Sequence, residues 1–310
     1  MGETLTAAFK DIAQRIELHS IPSLTLTDQQ FLTGSGDGKP ATVCGEFRIA
    51  QGAGRLPVIV LMHGSGGMGP GLQTWISHFN GLGISTFAID GFTGRGLTSV
   101  GNDQALLGRL NLIVDIFRGL EILEKHPAVD TSRIILMGFS RGGQAAVYAA
   151  VERFRTMWKK ATADFAAYIP VYPDCGTTYL DDTKVTAQPI RIHHGAADDY
   201  NSLANAKRYA ERLRKAGADV ELFEYADAHH GYDNPLNFGK VIEATGSQAV
   251  CGCDIREVEG GTLINAATGK PFNYTDPCVN LKPHVGGHEQ ATIATRTAVT
   301  AFVKTTFGLA

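Results

Sequence analysis

The sequence predicts an α/β fold in which a mostly parallel central sheet is covered by helices on both faces. Three features predict it: short uninterrupted apolar runs, helical stretches that alternate with them, and glycine-rich turns where the runs end. The runs are PVIVLMH (57–63), ISTFAID (84–90), RIILMGF (133–139), FAAYIPVY (165–172), IRIHH (190–194) and VELFEY (220–225). A strand with one wet face alternates apolar and polar residues. Continuous β-branched runs lack that alternation and fit strands buried on both faces.

The elements follow in order. Residues 4–17 have helical spacing, and 21–50 read as extended segments ending in ATVCGEFRIA, so 1–50 forms an N-terminal helix and edge-hairpin extension. Helices are expected at 70–82, 102–126, 141–160, 201–216 and 287–307, each apolar enough on one side to cover a sheet face. Right-handed crossovers follow from the parallel pairing. Residues 232–286 interrupt the rhythm with Gly, Asn, Thr and Pro and read as a loop-rich insertion before the last helix, with one hairpin at CDIREVEGGTLINAATG. A chain of 310 residues with one such sheet is expected to be a single domain over 1–310.

Composition narrows the class of function. The chain is 44% hydrophobic and 19% charged, with 36 glycines, which suits a globular protein with a large core and many tight turns. A net charge of −3, from 28 basic and 31 acidic residues, gives no electrostatic reason to expect nucleic acid or an anionic membrane surface as partner. No segment reaches the roughly 20 apolar residues of a bilayer span, and residues 1–20 lack the basic start and apolar stretch of a signal peptide. Cytoplasm is therefore the default compartment. A removed leader together with oxidised cysteines in 251–278 would instead mean the periplasm or the exterior.

Gly138-Phe139-Ser140-Arg141-Gly142-Gly143 follows the run RIILM and precedes the helical stretch QAAVYAAVERF. In a Gly-x-Ser-x-Gly elbow the serine occupies a sharp strand-to-helix turn, flanked by glycines because side chains there would strike the strand and helix. Ser140 is the expected nucleophile. The helix N-terminus behind it offers N–H groups to an oxyanion.

His63-Gly64-Ser65-Gly66-Gly67 ends the first parallel run. A tetrahedral intermediate needs two preplaced donors. One is expected to be the backbone N–H of Arg141, next to the nucleophile, and the other that of Ser65, with Gly66 as the alternative. His63 is read as structural.

The acid follows IRIHH, in Gly195-Ala196-Ala197-Asp198-Asp199 at the C-terminal end of a strand, where open α/β sheets place working residues. Asp198 is preferred over Asp199 for orienting an imidazole. The base follows VELFEYADA, in His229-His230-Gly231-Tyr232, with His230 preferred over His229. The chain order Ser, Asp, His is that of an α/β-hydrolase triad.

In HGSGG (63–67), GFSRGG (138–143), HGAADD (194–199) and AHHGYD (228–233), the chain resembles the dienelactone hydrolase-like group of α/β-hydrolases. It is also similar to the catalytic domains of prolyl-oligopeptidase-type peptidases. The resemblance covers roughly residues 55–235 and resumes in the last helix. It implies the α/β-hydrolase fold, no metal or organic cofactor, and acyl-enzyme chemistry. Position 140 is serine where dienelactone hydrolases proper are known for cysteine, so lactone specificity is not carried over. The peptidases usually carry a large N-terminal propeller, and the fewer than 60 residues before the first parallel run count against an oligopeptidase.

The expected function is a serine esterase acting on a small-molecule ester and water. An amidase or small peptidase, a lactone hydrolase and a non-catalytic member of the fold are the alternatives. Trp75, Phe92, Tyr172, Tyr200 and Tyr232 are assigned to loops at the C-terminal end of the sheet as candidates for an acyl or alcohol pocket. Arg141 and Arg95 are read either as carboxylate binders or as partners of nearby aspartates. Cys44 and Cys175 read as buried thiols. A disulfide from Cys253 or Cys251 to Cys278 would tie the insertion, whereas the spacing of these cysteines with His284 and His288 matches no structural zinc site.

Overall fold

The computed structural model describes residues 12–309. Its strands are β1 (Arg15–Thr25), β2 (Lys39–Ile49), β3 (Leu56–Met62), β4 (Ser85–Asp90), β5 (Val129–Phe139), β6 (Ala167–Val171), β7 (Thr177–Thr178), β8 (Ile190–Gly195) and β9 (Val220–Tyr225). All but β7 form one eight-stranded sheet in the order β1-β2-β4-β3-β5-β6-β8-β9. From β4 to β9 every neighbouring pair is parallel, while β1–β2 and β2–β4 are antiparallel.

Burial explains why the apolar runs are continuous. In β3, Val58, Val60 and Met62 join the core on one face and Ile59 and Leu61 the core on the other, all fully buried. The first core is covered by α3 (Leu112–Leu123), α4 (Arg141–Tyr148), α5 (Glu152–Trp158) and α6 (Leu203–Lys215). The second is covered by α2 (Pro70–Gly81) and α7 (Glu289–Phe307). This is the α/β-hydrolase fold. The chain leaves β3 towards β4 on one side and later returns to β5 on the other, so the crevice outside the C-terminal ends of β3 and β5 is the topological switch point.

Several expectations need correction. Of the helix expected over 4–17, residues 4–11 lie outside the described residues, and Arg15–Glu17 already belong to β1. A short helix, α1 (Asp28–Thr33), closed by a Thr27–Gln30 capping box, sits between β1 and β2. The helix expected from 102 begins only at Leu112, because Asn111 instead accepts from Leu26 N–H and donates to the Leu24 carbonyl, tying the segment to the hairpin. The helix expected over 141–160 breaks at Ala149–Val151. There the backbone bonds residues 184–186 (Thr186 N–H to Ala150 O, Glu152 N–H to Lys184 O) in place of a helical ladder.

The insertion folds over the sheet's C-terminal edge. Its elements are β10 (Val241–Glu243), β11 (Ile255–Val258), β12 (Thr262–Asn265), β13 (Lys270–Pro271) and β14 (His284–Gly286). The antiparallel β11–β12 pair is the hairpin expected at 253–269. Cys253 and Cys278 form a disulfide, leaving Cys251 free to donate its thiol to the Asp199 carbonyl. Cys175 is buried and Cys44 half-buried.

Candidate active site

Ser140 stands at the junction of β5 and α4 with φ 55° and ψ −116°, a left-handed conformation that a residue with a Cβ rarely adopts. The glycines around it are required by contact. A Cβ on Gly138 would lie 2.0 Å from the Gly142 carbonyl oxygen, and one on Gly142 would lie 2.2 Å from that of Met62. The serine is thereby presented at the switch point.

Asp198 lies past β8 and His230 past β9. His230 Nε2 is 2.8 Å from Ser140 Oγ, and its Nδ1 is 2.9 Å from Asp198 Oδ2. The other Asp198 oxygen accepts from the N–H groups of Tyr200 and Asn201 at 2.9 and 2.8 Å. With Nδ1 donating to the carboxylate, Nε2 carries the lone pair that faces the serine hydroxyl. Asp199 turns away and pairs with His284 Nδ1 and N–H, both at 2.8 Å. Burial works against its ionisation, but those His284 bonds outweigh it and its pKa is lowered. His229 does not contact the serine.

The loop after β3 abuts the nucleophile, since a Cβ on Gly64 would come within 3.0 Å of the Ser140 Cβ. Among the described residues, no backbone acceptor takes the Ser65 N–H, and the Arg141 N–H heads α4, where no intrahelical acceptor exists. His63 is a strut: Nε2 accepts from Gly91 N–H at 3.0 Å, and burial lowers its pKa and keeps it neutral.

Two tyrosines grip the imidazole. Tyr200 stacks on His230 at 4.6 Å between centroids, and Tyr172 meets it edge-on at 4.9 Å. Tyr172 is itself held, at φ 37°, by its hydroxyl on Asp233 Oδ1 at 2.7 Å and by Asn201 Nδ2 on its carbonyl. Asp233 also accepts from Trp75 Nε1 at 2.7 Å, and burial raises its pKa despite both bonds.

An open cleft of about 410 Å³ lies over Ser140 and His230. Its walls include Gly64, Gly66, Gly67, Gly69 and Gly71, with Tyr172 and Tyr200, and among the described residues no lysine or arginine lines it. Trp75, Phe92 and Tyr232, expected in a substrate pocket, do not line it. Trp75 lies in α2 rather than a loop, Phe92 packs against His63, and Tyr232 bonds Thr295; all three are core side chains. On the other side of Ser140 a small polar pocket of about 30 Å³ is bounded by Arg109, Arg141, Asp174 and Gln104 among others.

Arg95 is committed to a buried ion pair with Asp115 at 2.8 Å. Among the described residues, Arg141 pairs with no aspartate. Its guanidinium donates to the Gln104 side chain and to the carbonyls of Leu107 and Gly108. Cys253 and Cys278 are consumed by their disulfide, His284 by Asp199, and His288 caps α7, so these residues do not converge on an ion. Glu17, His19 and His126 do bring ligating atoms together, at the far edge of the sheet. There His126 Nδ1 accepts from Ala128 N–H, which leaves its proton on Nε2 facing Glu17 and makes the group a hydrogen-bonded carboxylate. Sequence reasoning missed Gln104, Asn201 and Asp233, which brace the site from behind.

A strained serine at the end of a central strand, in a sheet of this order, defines the protein as an α/β-hydrolase. More narrowly, the chain belongs to the dienelactone hydrolase family, whose model matches residues 49–249. Among curated proteins it is 24% identical over 141 residues to "Uncharacterized peptidase YtmA" of Bacillus subtilis, covering 37% of this chain and 54% of that protein, so the chain spans about half the length of this relative. It is also 24% identical over 208 residues, 61% of this chain and 80% of the relative, to "Probable 2-oxo-3-(5-oxofuran-2-ylidene)propanoate lactonase" of Bradyrhizobium sp. The fold is shared with the crystal structure of a dienelactone hydrolase-like promiscuous phosphotriesterase from metagenomic libraries. That match has a TM-score of 0.58 at 16% identity, over 93% of this chain and 98% of that one.

Proposed function

We propose that this hydrolase cleaves carboxylic esters through an acyl-enzyme on Ser140. The observation that carries the reading is the unbroken hydrogen-bond run Asp198–His230–Ser140, at 2.9 and 2.8 Å, with the serine held at φ 55°. His230 Nε2 takes the hydroxyl proton as Oγ attacks the carbonyl carbon. The N–H groups of Ser65 and Arg141 receive the developing oxyanion, and the imidazolium, supported by Asp198, protonates the departing alkoxide. Water, deprotonated by His230, then attacks the acyl carbon, and the serine leaves with the proton returned. The glycine-walled cleft has no lysine or arginine among its described lining residues to attract an anionic substrate, which supports an uncharged ester. A fluorophosphonate probe tests the reading: it should modify Ser140 stoichiometrically, with the adduct located by mass spectrometry of the digest. Modification at another serine, or none in a preparation that hydrolyses p-nitrophenyl acetate, would overturn it.

A further inference from the structure

We propose that Gln104 is a positioning residue of this site, whose side-chain amide holds the loop bearing one oxyanion donor in register with the turn bearing the other. The proposal rests on the reading of Ser140 as nucleophile with the N–H groups of Ser65 and Arg141 as donors.

The two donors belong to supports of unequal stiffness. The Arg141 N–H is built into α4, behind the nucleophile. Ser65 lies in a run of glycines that belongs to no strand or helix, so its position must be imposed from outside. Residues 99–104 impose it. The Ser65 carbonyl accepts from Val100 N–H at 2.9 Å and from Ser99 Oγ at 3.0 Å, and its hydroxyl lies 3.2 Å from Gln104 Nε2 and 3.3 Å from Gln104 Oε1. Every polar group of Ser65 except the N–H is thereby engaged.

The same amide reaches the other donor's residue. Arg141 Nη1 donates to Gln104 Oε1 at 2.5 Å. Because a guanidinium only donates, Oε1 must face Arg141, and Nε2 is left to donate to Ser65 Oγ and, at 3.5 Å, to the hydroxyl of Tyr200, the ring stacked on His230. Burial lowers the Arg141 pKa, and the charge is met only by neutral acceptors, of which Gln104 is the one side chain among the described residues. An aliphatic side chain at 104 would supply neither bond. Gln104 is braced in turn by the insertion: its N–H donates to Gln248 Oε1 at 2.8 Å, and Gln248 N–H donates to the Gly101 carbonyl at 2.9 Å.

Oxyanion donors act over about 2.7–3.1 Å from the position the oxyanion will occupy, so a small drift of Ser65 weakens the transition state more than substrate binding. Gln104→Met, which preserves bulk, should therefore lower kcat for p-nitrophenyl acetate by about 10-fold with KM within about 2-fold, and should slow fluorophosphonate labelling in parallel. Ser65→Ala, which removes the hydroxyl and keeps the N–H, should give a similar loss. The double variant should be no slower than the worse single within about 2-fold, because both act through one contact. A Gln104→Met enzyme as fast as the parent, or two losses that multiply, would overturn the proposal. If Gln104→Met does not fold, Ser65→Ala decides alone, and an unchanged kcat there overturns it. A parent protein that neither labels nor turns over esters refutes the site reading itself, whereas a labelled, active parent matched by Gln104→Met refutes only the role of Gln104.

Discussion

His230 and His284 divide the two adjacent aspartates between them: Asp198 holds His230 through one oxygen, while His284 claims Asp199 through its ring and its backbone N–H. Asp198→Asn should therefore lower kcat by about 10³–10⁴-fold, because the amide favours the wrong imidazole tautomer and gives no support to the imidazolium. Asp199→Asn should cost less than about 10-fold. Steady-state kinetics on a p-nitrophenyl ester compare them directly, and a reversed order would move the acid to Asp199.

Three buried histidines and one half-buried, His78, make the fold sensitive to acid. Burial lowers the pKa of His63, His78, His193 and His194; His78, which also faces Arg296, is brought down to about 4, and His193 to about 3. Each folded value lies below the unfolded value of about 6.5, so below that pH the unfolded chain binds more protons and folding is penalised. Stability is full above about pH 6.5 and is lost progressively as pH falls towards 4 and then 3. Tm measured from pH 8 to 4 should show this decline, and His78→Gln should make it shallower. A flat profile between pH 7 and 4.5 would count against it.

The Arg95–Asp115 pair is almost wholly buried, and Asp115 also accepts from Ser23 Oγ at 2.5 Å. Asp115→Ala leaves the guanidinium uncompensated in the core and should destabilise the fold by about 3–5 kcal/mol. Urea denaturation reads this directly. A loss below about 1 kcal/mol would mean that the arginine finds another partner or reaches water.

The Cys253–Cys278 disulfide closes a loop with a sequence separation of 25. By the loop-closure model its removal costs about 3 kcal/mol. Because Gln248 and Ser247 of the same insertion contact the 101–104 segment, Cys253→Ser/Cys278→Ser should lower kcat as well as Tm. Intact mass with and without reductant should differ by two hydrogen atoms, and an unaltered Tm after reduction would show that the insertion holds itself.

Esters should be cleaved faster than matched anilides by orders of magnitude, since alkoxide departs readily whereas an amine must be aligned for protonation by His230. Parallel measurement of kcat/KM on a p-nitrophenyl ester and the corresponding p-nitroanilide tests this. Comparable values would favour a peptidase.

The parts of the fold legible in the sequence are those fixed by burial on both faces: the runs at 57–63, 84–90 and 190–194 match β3, β4 and β8 to within a residue or two. The positions of Ser140, Asp198 and His230 at strand ends were legible for the same reason. What stayed hidden was decided by distant partners. Leu112 starts α3 late because Asn111 is engaged by the hairpin, and Val151 leaves the helix because residues 184–186 bond its neighbours. Neither partner is near in sequence. Trp75 is a large aromatic close to the site, yet its neighbours on α2 turn it inwards. A lone glutamine between Asp103 and Ala105 carries no signal, and the role of Gln104 emerges only once Ser65 and Arg141 are seen on either side of it.

The cleft over Ser140 is walled on one side by main chain rather than by side chains, which gives it an unusual capacity for redesign. Gly66 and Gly69 have negative or extended φ and nothing within 4 Å of where a Cβ would sit, and at Gly71 the nearest atom is 3.8 Å away. A methyl group at each would project into empty space at little backbone cost. Breeding selectivity into this hydrolase is therefore a matter of adding furniture to a bare room: each alanine or valine subtracts a graded volume from the cleft, while Ser140, Asp198 and His230 stay anchored past the ends of separate strands.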